Sequence, residues 1–254
     1  MQKAVEFKNS DGLTLRGFVY EPKKYDTAIV FLHGFPANCK YIVASNMGNY
    51  LERLGYLFLC FDFNGTDTSD GKFEDKLMSK EVKDVKYAID FLSKNYKFNK
   101  LIIIGHSTGA IDAALYSYKD KRVDKLILLG GVGNLKQAVR YDFSDEDVHD
   151  FKTKDYIIYK NKNHWTYNKK LKRSFYDEFF TLDVLGSLHK FKKPVLIIHG
   201  SKDESVPVEK DPQELYSAAN EPKKLIIING ADHKFSKLRQ GLKVLYYINK
   251  FIKN

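Results

Sequence analysis

The chain has little of what builds a cross-linked, membrane-spanning or metal-dependent protein. Two cysteines in 254 residues cannot make a disulfide framework. Cys60 lies in the apolar run from Tyr56 to Phe61, where a thiol behaves as a small hydrophobe, and Cys39 reads as a loop thiol. Neither has the spacing of a metal site or a redox pair. No apolar run approaches the roughly eighteen residues that a membrane-spanning helix needs, so no membrane span is expected. No His-Glu-x-x-His or comparable cluster occurs, and neither a metal nor another cofactor is expected. Gly65…Gly71-Lys72 suggests a phosphate loop, but its spacing is one residue too long and Phe73 stands where Ser or Thr would bind magnesium. The stretch Met1–Phe7 has no apolar signal core and alternates like a strand, which leads to the expectation of a cytoplasmic protein.

What is present begins with charge. Lys and Arg exceed Asp and Glu by 42 to 32, a formal net charge of +10. Such an excess can mark a nucleic-acid partner, yet the lysines are scattered through nearly every segment. Between Tyr156 and Tyr176 there are six basic residues and no acidic one, with Trp165 and Tyr167 interleaved. No recognised nucleic-acid module accompanies this run, so it reads as a solvated basic face.

Short apolar runs alternate with helical-period segments, the pattern of a mostly parallel α/β sheet covered on both faces. Ala4–Lys8 and Leu13–Tyr20, joined near Asp11-Gly12, read as an antiparallel hairpin. Ala28–Leu32, Leu57–Phe61, Leu101–Ile104, Leu126–Leu129, Val195–Ile198 and Leu225–Ile228 read as buried strands, giving eight. Helices are expected over Ile42–Leu54, Lys80–Lys94, Thr108–Tyr118, Pro212–Ala219 and Phe235–Ile252. The stretch 133–193 breaks this rhythm and is too long for a loop. It reads as an inserted, aromatic-rich cap with helices over Asp145–Lys152 and Asn168–Phe180, set into a core made of residues 1–132 and 194–254.

The chemistry is carried by Leu101-Ile102-Ile103-Ile104-Gly105-His106-Ser107-Thr108-Gly109-Ala110. A buried strand breaks into Gly-x-Ser-x-Gly and continues as a small-residue helix. This is a nucleophile elbow, in which a sharp strand-to-helix turn raises Ser107 above the sheet and the glycines avoid Cβ clashes. A serine hydroxyl needs a general base, and the base needs an orienting carboxylate. Of seven histidines, His233 stands at the carboxyl-end lip of the last strand, where sites in open α/β sheets form. His33 and His199 end strands and read as turn supports, His106 precedes the nucleophile and should point away from it, and His149, His164 and His189 belong to the cap region. Asp203 leaves the preceding strand at the same lip, ahead of its rivals Glu204 and Asp232. Two backbone N–H groups must stabilise the oxyanion; Thr108 supplies one and Phe35, in His33-Gly34-Phe35-Pro36, the second.

These segments, with Asp11–Gly17, Asp62-Phe63-Asn64-Gly65, Ser69–Glu74, Gly200–Asp203 and Gly230–His233, resemble the α/β-hydrolase superfamily. The likeness is to small serine esterases that include bacterial cinnamoyl (feruloyl) esterases and monoacylglycerol-lipase or serine-aminopeptidase-like hydrolases. It implies a catalytic triad at Ser107, Asp203 and His233, and an oxyanion hole at Phe35 and Thr108. The chain departs from the pattern at Gly65-Thr66-Asp67, where Gly-x-Gly is common, and at Thr108, where the cinnamoyl esterases often have Gln.

The expected function is hydrolysis of a small aryl or acyl carboxylic ester through an acyl-enzyme on Ser107. Trp165 and Tyr167 of the cap are candidate substrate contacts. Monoacylglycerol or thioester cleavage would use the same groups, as would an aminopeptidase-like amidase. A non-catalytic binding protein of the same fold would be marked by loss of a triad member, and none is lost. The partner is a small-molecule ester, and the state a monomer or homodimer.

Overall fold

The chain doubles back at its start because Asn9 folds the backbone for it. The Asn9 carboxamide oxygen accepts from the N–H groups of Asp11 and Leu13 at 3.0 and 3.1 Å, and Gly12 takes the left-handed φ of 74° that such a turn favours. Strand β1 (Gln2–Lys8) is thereby paired antiparallel with β2 (Thr14–Tyr20). The computed structural model describes residues 2–254, apart from the side chain of Ile42.

Beyond the hairpin, strands and helices alternate: β3 (Thr27–Leu32), α1 (Ile42–Arg53), β4 (Leu57–Phe61), α2 (Met78–Asn95), β5 (Lys100–His106), α3 (Thr108–Ser117) and β6 (Val123–Leu129). An insert follows, with α4 (Leu135–Asp142), α5 (Asp145–Lys154), β7 (Tyr156–Ile158), β8 (Lys170–Lys172), α6 (Arg173–Glu178) and α7 (Val184–Lys190). The chain returns to the sheet with β9 (Val195–Gly200), α8 (Asp211–Ala218), β10 (Lys223–Ile228) and α9 (Leu238–Lys253). The eight-stranded sheet has the order β1-β2-β4-β3-β5-β6-β9-β10. From β4 onward the neighbours are parallel, so β3, β5, β6, β9 and β10 deliver their carboxyl ends to one edge.

Alternation along β5 shows why two layers of helix are needed. Leu101 and Ile103 join a core shared with α2 and α3, whereas Ile102 and Ile104 point the other way, into a core shared with α1 and α9. Every residue of α3 is buried, which its Gly-Ala-Ile-Asp-Ala-Ala sequence permits because small side chains let a helix lie close on a sheet.

The insert corrects one expected helix. Asn168–Phe180 is not one helix: Lys170–Lys172 forms β8, pairing antiparallel with β7, and helix begins only at Arg173. The reason is local, since buried Leu171 sits between exposed Lys170 and Lys172, a strand's period of two, opposite Ile157. Helices α4 and α7 and the small sheet have no counterpart in the sequence expectations. Many insert aromatics join the core on the α2 and α3 side of the sheet, with Phe143 set edge-on to Phe151 and Phe179 at ring separations of 5.2 and 5.5 Å. The basic run is largely engaged: Lys160 pairs with Glu146, Lys172 with Asp75 and Arg173 with Asp177. Lys169 and Lys170 lie over the rings of Trp165 and Tyr156, each 4.5 Å from the centroid.

Candidate active site

Between Leu101 and Ser117 every residue is buried except Ser107. The backbone there turns from β5 into α3 through φ 56° and ψ −124°, a conformation that costs a non-glycine residue about 1–3 kcal/mol and is held by its surroundings. The Ser107 N–H donates to the Leu129 carbonyl of β6 at 2.9 Å. The hydroxyl is not used to cap α3, so it stays available for chemistry. Gly105 and Gly109 make the turn sterically possible. A Cβ on Gly105 would collide with the Gly109 carbonyl, and one on Gly109 with the Leu32 carbonyl of β3.

Among the three acids considered, Asp203 is the one facing the His233 ring. Its Oδ2 accepts from His233 Nδ1 at 2.8 Å, and both side chains are buried. An ionised carboxylate can only accept, so the proton sits on Nδ1 and the Nε2 lone pair is left free. The other oxygen, Oδ1, accepts from the N–H groups of Ser205 and Val206 at 3.0 and 2.7 Å. Burial works to raise the Asp203 carboxyl, but the hydrogen bonds from His233 and Val206 prevail and hold it below the ordinary carboxylate range. Glu204 accepts instead from the His233 backbone N–H at 3.3 Å, and Asp232 caps the following turn through Ser236.

Three residues that the sequence expectations left out of the site shape it. The His106 Nε2–H donates to the His233 carbonyl at 2.9 Å and its ring lies 4.9 Å from that of His233. Burial holds the His106 imidazole down at about 4, so it remains a neutral donor. His199 donates from Nε2 to the Val206 carbonyl at 2.9 Å and lies 3.3 Å from Asp203 Oδ2, bracing the acid. Gly130, at φ 52°, leaves room for the pair: a Cβ there would lie 3.2 Å from His233 Nδ1 and 3.4 Å from Asp203 Oδ2. His106 and Gly130 lie 127 and 103 residues before His233, so no short motif announces them, whereas His199 is four residues from the acid it braces.

The loop after β3 comes against Ser107 so closely that only glycine fits at position 34, where a Cβ would stand 2.8 Å from Ser107 Cβ. Among the described residues, the N–H groups of Phe35 and Thr108 have no acceptor in the protein, and that of Thr108 opens α3. His33 anchors this loop as a turn support. Its Nδ1–H donates to the Gly34 carbonyl at 2.9 Å and its Nε2 accepts from the Phe63 N–H at 3.4 Å; burial lowers the ring to about 4 and keeps it neutral. Cys39 is a loop thiol as expected, though a buried one, and its N–H donates to Asp62 at 2.7 Å.

The insert meets this loop directly. Trp165 Nε1–H donates to the Pro36 carbonyl at 2.7 Å, and Phe35 packs against Phe73, Phe175 and Tyr159. Tyr167 is not brought to these rings and is 39% exposed.

Residues 23–152 match the family described as serine aminopeptidase, S33. The chain belongs to that family. It is 32% identical over 126 residues to the polyketide transferase ATR5 of Stachybotrys chlorohalonatus, a match over 48% of this chain and 42% of that protein, thus under half of either. Over 217 residues it is 27% identical to the mitochondrial palmitoyl-protein thioesterase ABHD10 of Mus musculus, covering 81% of this chain and 68% of that one. Among solved structures, Est1E from Butyrivibrio proteoclasticus with ferulic acid bound matches with a TM-score of 0.80 at 24% identity, over 98% of this chain and 100% of that one. Mouse alpha/beta hydrolase domain-containing protein 10 matches with a TM-score of 0.79 at 21% identity, over 99% and 98% of the two chains. The fold is that of the α/β-hydrolases.

Two further acids distinguish this S33-family chain. Asp142 ends α4. Desolvation pushes its carboxyl up to about 6, against the opposing influence of His233. Asp112, on α3 behind the elbow, is fully buried, and neither carboxyl oxygen has a hydrogen-bond partner among the described residues. Burial raises it well above the ordinary value, with the neighbouring Glu81 charge adding to the effect, so it is held as the neutral acid. Glu81 itself pairs with buried Lys76 at 2.5 Å, and Lys76 Nζ donates to the Asn64 carbonyl at 3.2 Å.

The sign of the Asp112 effect follows from linkage. The folded carboxyl binds its proton more tightly than the unfolded one, so its penalty on stability grows as pH rises above the ordinary carboxylate value. Asp112→Asn, which mimics the neutral acid, is expected to raise Tm by about 2–6 °C at pH 7–8, with the gain shrinking towards pH 4. A pH series of thermal melts reads this, and a lower Tm at pH 7 would mean that Asp112 is ionised and paired.

Proposed function

We propose that this α/β-hydrolase of the S33 family is a serine hydrolase of carboxylic esters and thioesters, working through an acyl-enzyme on Ser107. The observation that carries the reading is that Ser107, alone among residues 101–117, is only partly buried and stands in a strained turn at the sheet edge that also holds a carboxylate-oriented imidazole. Ser107 Oγ attacks the acyl carbonyl while His233 Nε2 takes its proton, and Asp203 steadies the imidazolium that forms. The N–H groups of Phe35 and Thr108 receive the developing oxyanion. Collapse expels the alcohol or thiol with the proton returned by His233, and a water activated by the same base releases the acid.

The insert 133–193 acts in this reading as a cap. Its Trp165–Pro36 bond and its aromatic contacts with Phe35 set the acyl pocket beside the oxyanion donors. Thioesters are included because the long match to a palmitoyl-protein thioesterase spans both cap and core. The test pairs a fluorophosphonate probe with a substrate panel of p-nitrophenyl esters, acyl thioesters, monoacylglycerols, hydroxycinnamate esters and aminoacyl amides. A single adduct on the Ser107 peptide, with turnover of esters or thioesters, is expected. Turnover confined to the amides would overturn the ester reading, and absence of the adduct would overturn the nucleophile.

A further inference from the structure

Helix α9 divides sharply into two faces. Gln240, Val244, Ile248 and Ile252 are buried against the sheet. The opposite face carries Leu238, Leu242 and Tyr246, four residues apart and 78%, 47% and 55% exposed. Exposed among them on the same face are Arg239, Lys243, Lys250 and Lys253, and the helix contains no acidic residue. Lys234 and Lys237, also exposed, extend the basic surface at its start. Among the described residues none of these six cations pairs with a carboxylate, in contrast to the insert's basic run, where Glu146, Asp75 and Asp177 answer the charge.

Apolar side chains standing out among cations that make no ion pair, two of them resting over the Tyr41 and Tyr246 rings, are the composition of a helix that lies in a lipid interface. There the apolar groups enter the acyl boundary and the long basic stems reach back to the headgroups. We propose that the outward face of α9 docks this protein on an anionic lipid surface. Charge selects that occupant over the alternatives. A second copy of the chain would bring the same cationic face and a net charge of +10 against its like. A nucleic acid would satisfy the cations but leave Leu238 and Leu242 in water.

The surroundings of the helix agree. Between α9 and α1 lies a cavity of about 110 Å³, walled mainly by apolar side chains such as Met47, Leu129, Phe235 and Val244 and also by Asn46 and Lys234. Leu129 is the residue whose carbonyl holds the Ser107 N–H, and Phe235 follows His233 by two positions. The docking face is thus separated from the backbone of the site by a small apolar recess.

The test is sedimentation of the full chain with vesicles of phosphatidylcholine, with and without phosphatidylglycerol, at low and high salt. Binding is expected only with phosphatidylglycerol, and weaker at high salt. Both Leu238→Ser/Leu242→Ser and Arg239→Glu/Lys243→Glu should reduce it by at least about tenfold. Hydrolysis of a water-soluble short-chain ester should be unchanged in both variants, which keeps this outcome separate from the fate of the catalytic reading. Equal binding to neutral vesicles, or none to anionic ones, would overturn the proposal. So would a wild-type dimer in sedimentation velocity that the serine variant dissolves, or an oligonucleotide held tightly by wild type and serine variant alike while vesicles are not.

Discussion

Ser107→Ala is expected to lower kcat/KM on a short-chain p-nitrophenyl ester by at least about 10⁴-fold while leaving the thermal midpoint within a few degrees of wild type. The size follows from what is removed. On the proposed mechanism no acyl-enzyme forms without the hydroxyl, and the N–H groups of Phe35 and Thr108 and the His233–Asp203 pair can only assist direct attack by water. The mildness on stability follows from where Ser107 stands. Its Oγ does not cap α3, and its N–H bond to Leu129 is a backbone bond that alanine keeps. Steady-state kinetics with a fluorophosphonate-titrated active-site concentration reads the first effect, and a melt reads the second. A variant retaining a tenth or more of wild-type turnover would assign the nucleophile elsewhere.

Gly109→Ala should be among the most destabilising single-methyl additions in the chain, costing about 3 kcal/mol or more. The new Cβ collides with the Leu32 carbonyl oxygen and stands 2.7 Å from the His33 carbonyl oxygen, so α3 would have to lift off β3. Backbone atoms cannot rotate aside as a side chain can. Gly230→Ala is the control. Its Cβ meets nothing within 4 Å and only its φ of 72° resists, a strain of about 1 kcal/mol. Urea midpoints at an unchanged m-value measure both. Equal losses at the two positions would mean that the structure relaxes around the new methyl and that contact with β3 does not set the cost.

The sheet was legible because each strand is a short apolar run bounded by polar turns, and because the site lies where parallel strands end. Leu101–Gly109 names both the strand and the helix that hold Ser107, and Val195–Asp203 and Leu225–His233 do the same for the acid and the histidine. The insert was not legible in this way. Helix α7 spans only Val184–Lys190 and β8 only Lys170–Lys172, so neither offers enough residues for a period to be counted. Lys170-Leu171-Lys172 suits a strand or the start of a helix until Ile157 is seen opposite. The supports of the site were hidden for a different reason. That His106 holds the His233 carbonyl, and that Gly130 clears space for the ring, depend on contacts between distant parts of the chain.

The one tryptophan of the chain is also the residue whose indole N–H rests on the Pro36 carbonyl, next to Phe35. All tryptophan emission from this protein therefore originates at the seam between the insert and the loop that approaches Ser107. Any change at that seam alters the surroundings of that single fluorophore. The molecule carries its own optical gauge of the contact between the insert and that loop.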